Sequence, residues 1–364
     1  MKQTKFKAAS ILASPIFLDR DATLDKVCNF IKEAGREGAK LVAFPESFVP
    51  GYPWWIYMGV KNHLKKDELF RRLYNNSVEI PSESTDLICR AAKQYGVMVV
   101  LGLNEVRGGS LYNSQLFVNE EGEILGRHRK LMPNIEERTV WGFGEVNELR
   151  VFDTKYGKIG GLICYEHLMP LSKFALFAMG EQIHVACWPG GNFKMQPRER
   201  NKVIDAAMRQ TALEGQVFSI CSCTCLSKEE VDFYSELEPS VKGNMSPGGG
   251  WASIVNPIGN YIAGPLSDKE GIIYADIDLE EIIDAKHMFD NVGHSARWEV
   301  INLILSSKRS ILNTLPDREV GTGKTLVGDK LRRAIDSLKE SAQKYGDQEI
   351  LRAIGEIEME TLDR

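Results

Sequence analysis

Residues 160–167 read Gly-Gly-Leu-Ile-Cys-Tyr-Glu-His, GGLICYEH, and the fold class turns on how that run is read. Lys158 to Ile163 is short and mostly apolar, the length of a strand rather than of a helix, and it delivers Cys164 among ionisable neighbours. Upstream, Glu148 to Cys164 contains the turn TKYGK, so the run is the second arm of a hairpin. Downstream, a helix from beyond Pro170 through Met179 precedes the apolar strand Ile183 to Trp188, a long helix from Arg198 to Glu214 and the strand Gln216 to Cys225. Strands and helices alternate, which predicts an α/β layered fold.

The first half follows the same rhythm. Lys5 to Ile16 alternates as a strand does, Leu24 to Ala34 carries Val27, Phe30, Ile31 and Ala34 at helical spacing, and Lys40 to Phe44 is a buried strand stopped by Pro45. Helical stretches from Asp67 to Leu73 and Thr85 to Gln94 lead to the strand Val97 to Leu103. From Tyr112 to Lys130, two alternating runs joined by Asn119-Glu120-Glu121-Gly122 form a hairpin. Lys228 to Gly250 reads as a polar connection, and strands resume at Trp251 to Val255 and Ile272 to Ile277. From Lys330, Leu331, Ile335 and Leu338, then Ile350, Ile354 and Ile357, mark two charged amphipathic helices that strap the domain or bind another subunit.

A chain of 364 residues with 43% hydrophobic content can bury a large core. Its formal net charge of -5 lacks the clustered basic surface that phosphate contacts need, so nucleic-acid binding is set aside. The lysine-containing start resembles an export signal, but Ser10, Ser14 and Pro15 interrupt it and the alternation favours a first strand. No run reaches the roughly 18 apolar residues of a membrane span. Seven cysteines without framework spacing suit a reducing compartment, so a cytoplasmic location is expected.

Three ionisable residues stand where strands end: Glu46 after KLVAF, Lys130 at the close of the hairpin, and Cys164. Ligand crevices of α/β sheets form outside the carboxyl ends of strands, so residues distant in sequence converge there. A free thiol with a pKa of about 8.5 is a poor nucleophile at neutral pH without a base or cation nearby. Glu46 supplies a base, and Lys130 a charge to stabilise a developing anion. Against this stands the reading of Cys164 as an inert core thiol, the usual fate of a free cysteine.

FPESFVPGYPWW, GRHRKLMPNIEERTVWGFGE, GGLICYEHLMP and EQIHVACWPG, in this order, resemble the motifs of the nitrilase superfamily, the carbon–nitrogen hydrolases, and specifically its nitrilase branch. The resemblance runs from about residue 5 to about residue 300, through GGGWASIVNPIGN and DNVGHSAR. It implies a four-layer α-β-β-α sandwich over residues 1–300 and a partly helical tail over residues 301–364 that makes oligomer contacts. It implies a homodimer through a helical face, or larger spirals. It also implies a triad: Glu46 as general base, Lys130 as transition-state cation, Cys164 as nucleophile, with the family's further glutamate at Glu137 rather than Glu136.

The activity so implied is hydrolysis of a small organic nitrile to a carboxylic acid and ammonia through a thioimidate and an acyl-enzyme, with amide as a branch product. Water and a polarised C≡N suffice, so neither a metal nor an organic cofactor is required. An amidase or N-carbamoyl hydrolase using the same triad is the alternative within the superfamily. A silent oligomeric binding or scaffold protein is the alternative outside it.

Trp54, Trp55 and Tyr57 follow Glu46 closely, and Trp188 ends the strand after the nucleophile; each lines a substrate pocket or simply packs a loop. His167 is read as structural, shared with Glu166, or as a partner near Cys164. Cys221, Cys223 and Cys225 recur at period two, about 6.6 Å apart on one strand face, too far for a shared zinc ion, so core packing is expected. Tyr165 stands where the nitrilase branch usually has tryptophan, which puts the substrate range in question.

Overall fold

The computed structural model describes residues 3–194 and 199–305. In chain order the elements are β1 (Lys5–Ala13), α1 (Arg20–Arg36), β2 (Ala39–Ala43), α2 (His63–Asn75), α3 (Glu83–Tyr95), β3 (Met98–Arg107), β4 (Ser110–Val118) and β5 (Ile124–Arg129). Then come β6 (Phe152–Thr154), β7 (Gly157–Ile163), α4 (Pro170–Ala178), β8 (Ile183–Trp188), β9 (Asn192–Phe193), α5 (Arg200–Gly215) and β10 (Phe218–Thr224). The last are α6 (Lys228–Leu237), β11 (Met245–Ser246), β12 (Ala252–Val255), β13 (Tyr261–Leu266), β14 (Gly271–Asp278) and α7 (Glu280–Met288).

The strands pair in the order β5-β4-β3-β2-β1, with β14 antiparallel to β1, and in the order β10-β8-β7-β6, with β12 and β13 added beside β10. Among the described residues, strand pairing joins the two halves where Leu12 and Ala13 of β1 meet Cys223 and Thr224 of β10. Away from that corner they separate, and apolar side chains fill the gap. Alternation along each strand sorts these side chains into layers. Val42, Val99 and Leu101 face α1 and α3, whereas Leu41, Ala43, Met98 and Val100 turn inward against Ile183, Val185, Phe218 and Ile220. On the far side Cys187, Trp188, Cys221 and Cys223 pack against Ile204, Ala207 and Met208 of α5. The stack is helix, sheet, sheet, helix.

Local chemistry explains the covering helices. In α1, Asp19 caps the first turn by accepting from the Ala22 amide, and Leu24, Val27, Ile31 and Ala34 form the stripe that docks on the sheet. Burying each of the larger side chains stabilises the fold by about 1.5–3 kcal/mol before entropy is counted. Beneath α5, Cys221, Cys223 and Cys225 are packed in the apolar layer.

Parallel pairing of β1, β2 and β3, and of β7, β8 and β10, points all their carboxyl ends the same way. Two antiparallel steps through β4 return β5 to that direction. Glu46, Lys130 and Cys164 therefore emerge at one edge, the first two from one sheet and the third from the other.

Three local expectations change. The connection after Lys228 contains the helix α6, capped by Ser227, whose side chain accepts from the Glu230 amide, with Tyr234 buried. Its apolar residues sit at helical spacing among so many polar ones that the segment reads as a loop. β13 was not expected: its burial alternates, but its polarity does not, and Gly264 and Pro265 interrupt it. The first strand stops at Ala13 rather than Ile16. The expected tail helices lie outside the described residues. No helix among the described residues is long and apolar enough to cross a membrane.

Candidate active site

Glu46 leaves β2 after Pro45, where the chain crosses β3 so closely that a Cβ on Gly102 would lie 2.1 Å from the Pro45 carbonyl oxygen. The next residue, Ser47, has φ +49, and a non-glycine residue is held there at a cost of about 1–2 kcal/mol. The Glu46 carboxylate is buried, and its Oε1 accepts from Asn113 Nδ2 at 2.6 Å and from Lys130 Nζ at 3.0 Å. Its Oε2 has no partner among the described residues. Burial pushes the Glu46 carboxyl up to about 7, with the Lys130 charge opposing and Glu137 reinforcing the rise.

Lys130 donates to Glu46 and also to Glu137, at 3.0 Å to Oε1 and 2.8 Å to Oε2. Burial disfavours its charge, but the two carboxylates outweigh that and hold the ammonium well above the ordinary lysine range. Glu137 is itself fixed: Oε1 accepts from Tyr52 Oη at 2.6 Å and Oε2 from the Asn134 amide at 2.6 Å. The three buried ionisable groups are thus locked by one another and by Asn113, Tyr52 and the Asn134 amide.

Cys164 follows β7 and opens a short 3-10 turn, Cys164–Leu168, with φ +53. This kink lifts the thiol off the strand direction while leaving it buried. Burial is the largest influence on the thiol and pushes its pKa well up; Glu46 adds to the rise, and Lys130 and Arg200 oppose it. The thiol therefore shares one electrostatic environment with Glu46 and Lys130. Glu166 ties the two sheets at this point, its Oε1 accepting from the Leu131 amide and its Oε2 from the Ile163 amide, both at 2.7 Å. His128 Nε2 lies 2.9 Å from the same Oε2. Burial raises the Glu166 carboxyl, but His128 and the two amides outweigh it and hold it below the usual carboxylate range.

The family model for carbon-nitrogen hydrolases matches residues 7–287. The chain belongs to the carbon–nitrogen hydrolase family. A "Nitrilase" of Bacillus sp. (strain OxB-1) is 41% identical over 295 residues, 80% of this chain and 85% of the relative. An "Aliphatic nitrilase" of Rhodococcus rhodochrous is 37% identical over 308 residues, 84% of this chain and 80% of the relative. Relatives of this kind place the chain in the nitrilase branch. A carbon-nitrogen hydrolase from Helicobacter pylori G27 shares the fold with TM-score 0.65 at 20% identity, covering 82% of this chain and 97% of its own. As a member of this family the protein is a hydrolase acting on carbon–nitrogen bonds.

Around this hydrolase's polar centre the expected pocket residues divide. Trp54 is buried against Tyr52, 4.4 Å between ring centroids, and the Arg200 guanidinium sits 5.0 Å above its ring. Tyr57 Oη is 3.3 Å from Tyr52 Oη, so it continues the chain that starts at Glu137. Trp55 turns instead toward Phe17, 6.2 Å away. Trp188 lies behind Cys164, with Tyr165 at 5.9 Å and His167 stacked on it at 5.2 Å. His167 and Glu166 both hold the turn at Cys164 but part in their further partners: Glu166 accepts from the Ile163 amide and reaches His128 of β5, whereas His167 Nδ1 lies 2.6 Å from the Cys164 carbonyl oxygen and its Nε2 meets His184 of β8.

Tyr52, Asn113 and Arg200 escaped the sequence reading. Asn113 carried a signal: the hairpin register pairs Ser114 with Arg129, which sets Asn113 opposite Lys130, and the Lys130 amide donates to the Asn113 carbonyl at 2.8 Å. Tyr52 and Arg200 carried none, since only packing shows that they reach Glu137 and Trp54.

Proposed function

We propose that this protein is a nitrilase that converts an organic nitrile and water to a carboxylic acid and ammonia, with Cys164, Glu46 and Lys130 as its catalytic residues and Glu137 holding Lys130. The observation that carries this reading is the buried Glu46–Lys130–Glu137 chain, whose charges act on a cysteine held on a strained turn, with one Glu46 oxygen unpartnered among the described residues. A carboxyl poised at about 7 is suited to taking and returning protons at neutral pH.

As the Cys164 sulfur attacks the nitrile carbon, its proton passes to Glu46 and a π pair of C≡N moves onto nitrogen. Lys130 stabilises that charge, and the proton from Glu46 completes a thioimidate. Water then gives a proton to Glu46 and adds to the same carbon. The nitrogen of the tetrahedral intermediate takes protons and leaves as ammonia, giving a thioester. A second water, again deprotonated by Glu46, releases the acid and restores the thiol. Expulsion of sulfur from the tetrahedral intermediate instead yields an amide. Tyr165, Trp54, Tyr57 and Trp188 supply the aromatic walls against which the nitrile substituent is selected.

A panel of aliphatic, aromatic and arylacetonitrile substrates, scored separately for ammonia, acid and amide, is expected to show acid and ammonia from at least one nitrile. Mass spectrometry with a slowly turned-over nitrile is expected to place the adduct on the peptide bearing Cys164. Turnover of amides but of no nitrile, or an adduct on Cys187 or Cys223, overturns the assignment.

The implied self-association accompanies this reading. Leu168, Leu171 and Leu213 expose apolar side chains near α4 and α5, a helical face on which a second copy is expected to pack. Sedimentation velocity is expected to report a dimer or larger species, and a monomer at every concentration counts against it.

A further inference from the structure

A second polar chain lies behind the nucleophile, buried in the second sheet and outside the chemistry just described. His167 Nδ1 is 2.6 Å from the carbonyl oxygen of Cys164, and its Nε2 is 2.9 Å from His184 Nε2. His184 Nδ1 is in turn 3.0 Å from Oε1 and 3.1 Å from Oε2 of Glu181. All three side chains are buried. A Cβ on Gly160 would lie 2.3 Å from Glu181 Oε1, so the first glycine of GGLICYEH leaves the space this carboxyl occupies.

Three contacts in this chain each need one proton, and the site of the third fixes the direction of the whole. The carbonyl of Cys164 only accepts, so His167 carries its proton on Nδ1. The Nε2–Nε2 contact needs one proton, and the contact to Glu181 needs another, three in all. Two neutral imidazoles supply two. The third is either the acid proton of Glu181 or the extra proton of an imidazolium. Burial is the main influence against an imidazolium at either histidine, and the nearby Lys173 ammonium, itself buried and paired with Glu214 at 2.6 Å, adds to it. Burial accordingly raises the Glu181 carboxyl and lowers His184 to about 3. The arrangement is then Glu181 O–H to His184 Nδ1, His184 Nε2–H to His167 Nε2, and His167 Nδ1–H to the Cys164 carbonyl.

We propose that Glu181, His184 and His167 are positioning residues that act as one neutral, proton-oriented relay, holding the Cys164 carbonyl and through it the strained turn that aims the thiol. This rests on Cys164 being the nucleophile, as proposed above. The relay touches neither substrate nor the reacting atoms. Its effect is on the fraction of time the sulfur spends in line with the nitrile carbon, where misplacement by about 1 Å costs on the order of a hundredfold in rate.

The test compares Glu181→Gln with Glu181→Met. Glutamine presents an N–H where the acid presents its O–H, so Glu181→Gln is expected to keep kcat within about threefold of the parent, whereas Glu181→Met is expected to lose about tenfold to a hundredfold in kcat with KM unchanged. The alkylation rate of Cys164 by iodoacetamide is expected to fall in parallel. Histidine-selective nitrogen-15 labelling of the unmutated protein makes the reading independent of whether Glu181→Met folds: His167 is expected as the Nδ1–H tautomer and His184 as the Nε2–H tautomer at pH 7. An imidazolium at either position, equal damage from the two substitutions, or parental kcat and alkylation in both overturns the relay. A parent protein that hydrolyses no nitrile would sink the nitrilase reading instead, and the tautomers would still report on the relay.

Discussion

Cys164→Ala is expected to abolish acid and ammonia release from every nitrile the parent hydrolyses, a loss of at least about 10⁴-fold, because removing a nucleophile forfeits the covalent route entirely. Stability is expected to change by no more than about 1 kcal/mol. The thiol is buried and the lost volume small, while the turn at φ +53 persists because its neighbours hold it. Turnover by the purified variant, with circular dichroism as the folding control, is the measurement. Retained acid production at more than a few per cent of the parent would remove Cys164 from the mechanism. Because Glu46 and Lys130 are untouched in this variant, nitrile binding measured by calorimetry is expected to survive, separating chemistry from recognition.

Lys130→Met is expected to remove both activity and stability. The substitution leaves Glu46 and Glu137 buried without their shared cation, and breaking a buried pair by deleting one partner costs about 3–5 kcal/mol. The pH dependence follows from linkage. In the parent, burial already raises Glu46 to about 7 despite the opposing Lys130 charge, so without Lys130 its folded pKa rises further above the unfolded carboxylate value near 4.3. A folded state that binds more protons than the unfolded one loses stability as pH rises through that window. The deficit of Lys130→Met relative to the parent is therefore expected to be largest at pH 7–8 and to shrink toward pH 5. Urea unfolding at the two pH values checks this, and a deficit that grows on acidification contradicts it. Adding Glu137→Gln to Lys130→Met removes one orphaned charge and is expected to recover part of the stability and none of the activity.

Much of the framework was legible in residue order. The run ending at Cys164, the strand before Glu46 and the hairpin before Lys130 are short, apolar or alternating, and bounded by turn residues, so local chemistry alone marks them as strands. That their ends carry a thiol, a carboxylate and an amine was equally plain. Helix α6 was not legible, because its apolar side is narrow and its cap, Ser227, sits in an otherwise polar stretch. β13 was not legible either: its residues are held by pairing with β12 rather than by any preference of their own.

The relay behind Cys164 shows where sequence reasoning stops. His167 sits beside Glu166, and proximity in the chain suggested that they act together. The 3-10 turn after Cys164 separates them, sending one carboxylate to Leu131 and Ile163 and one imidazole to His184. A residue's partner inside a turn depends on which side of the backbone it leaves, and the turn's dihedrals set that.

By itself the sequence determined the alternation of strands and helices, the residue types at the strand ends and the family motifs that run through them, because each depends on neighbours a few positions apart. That Glu46 and Glu137 share one lysine, that Asn113 and Tyr52 complete the hydrogen bonding, and that burial pushes the Glu46 carboxyl up to about 7 all follow from how distant segments pack. Those properties depend on exclusion of water and on polar and charged groups brought within 3.0 Å from positions up to 85 residues apart, which no local pattern records.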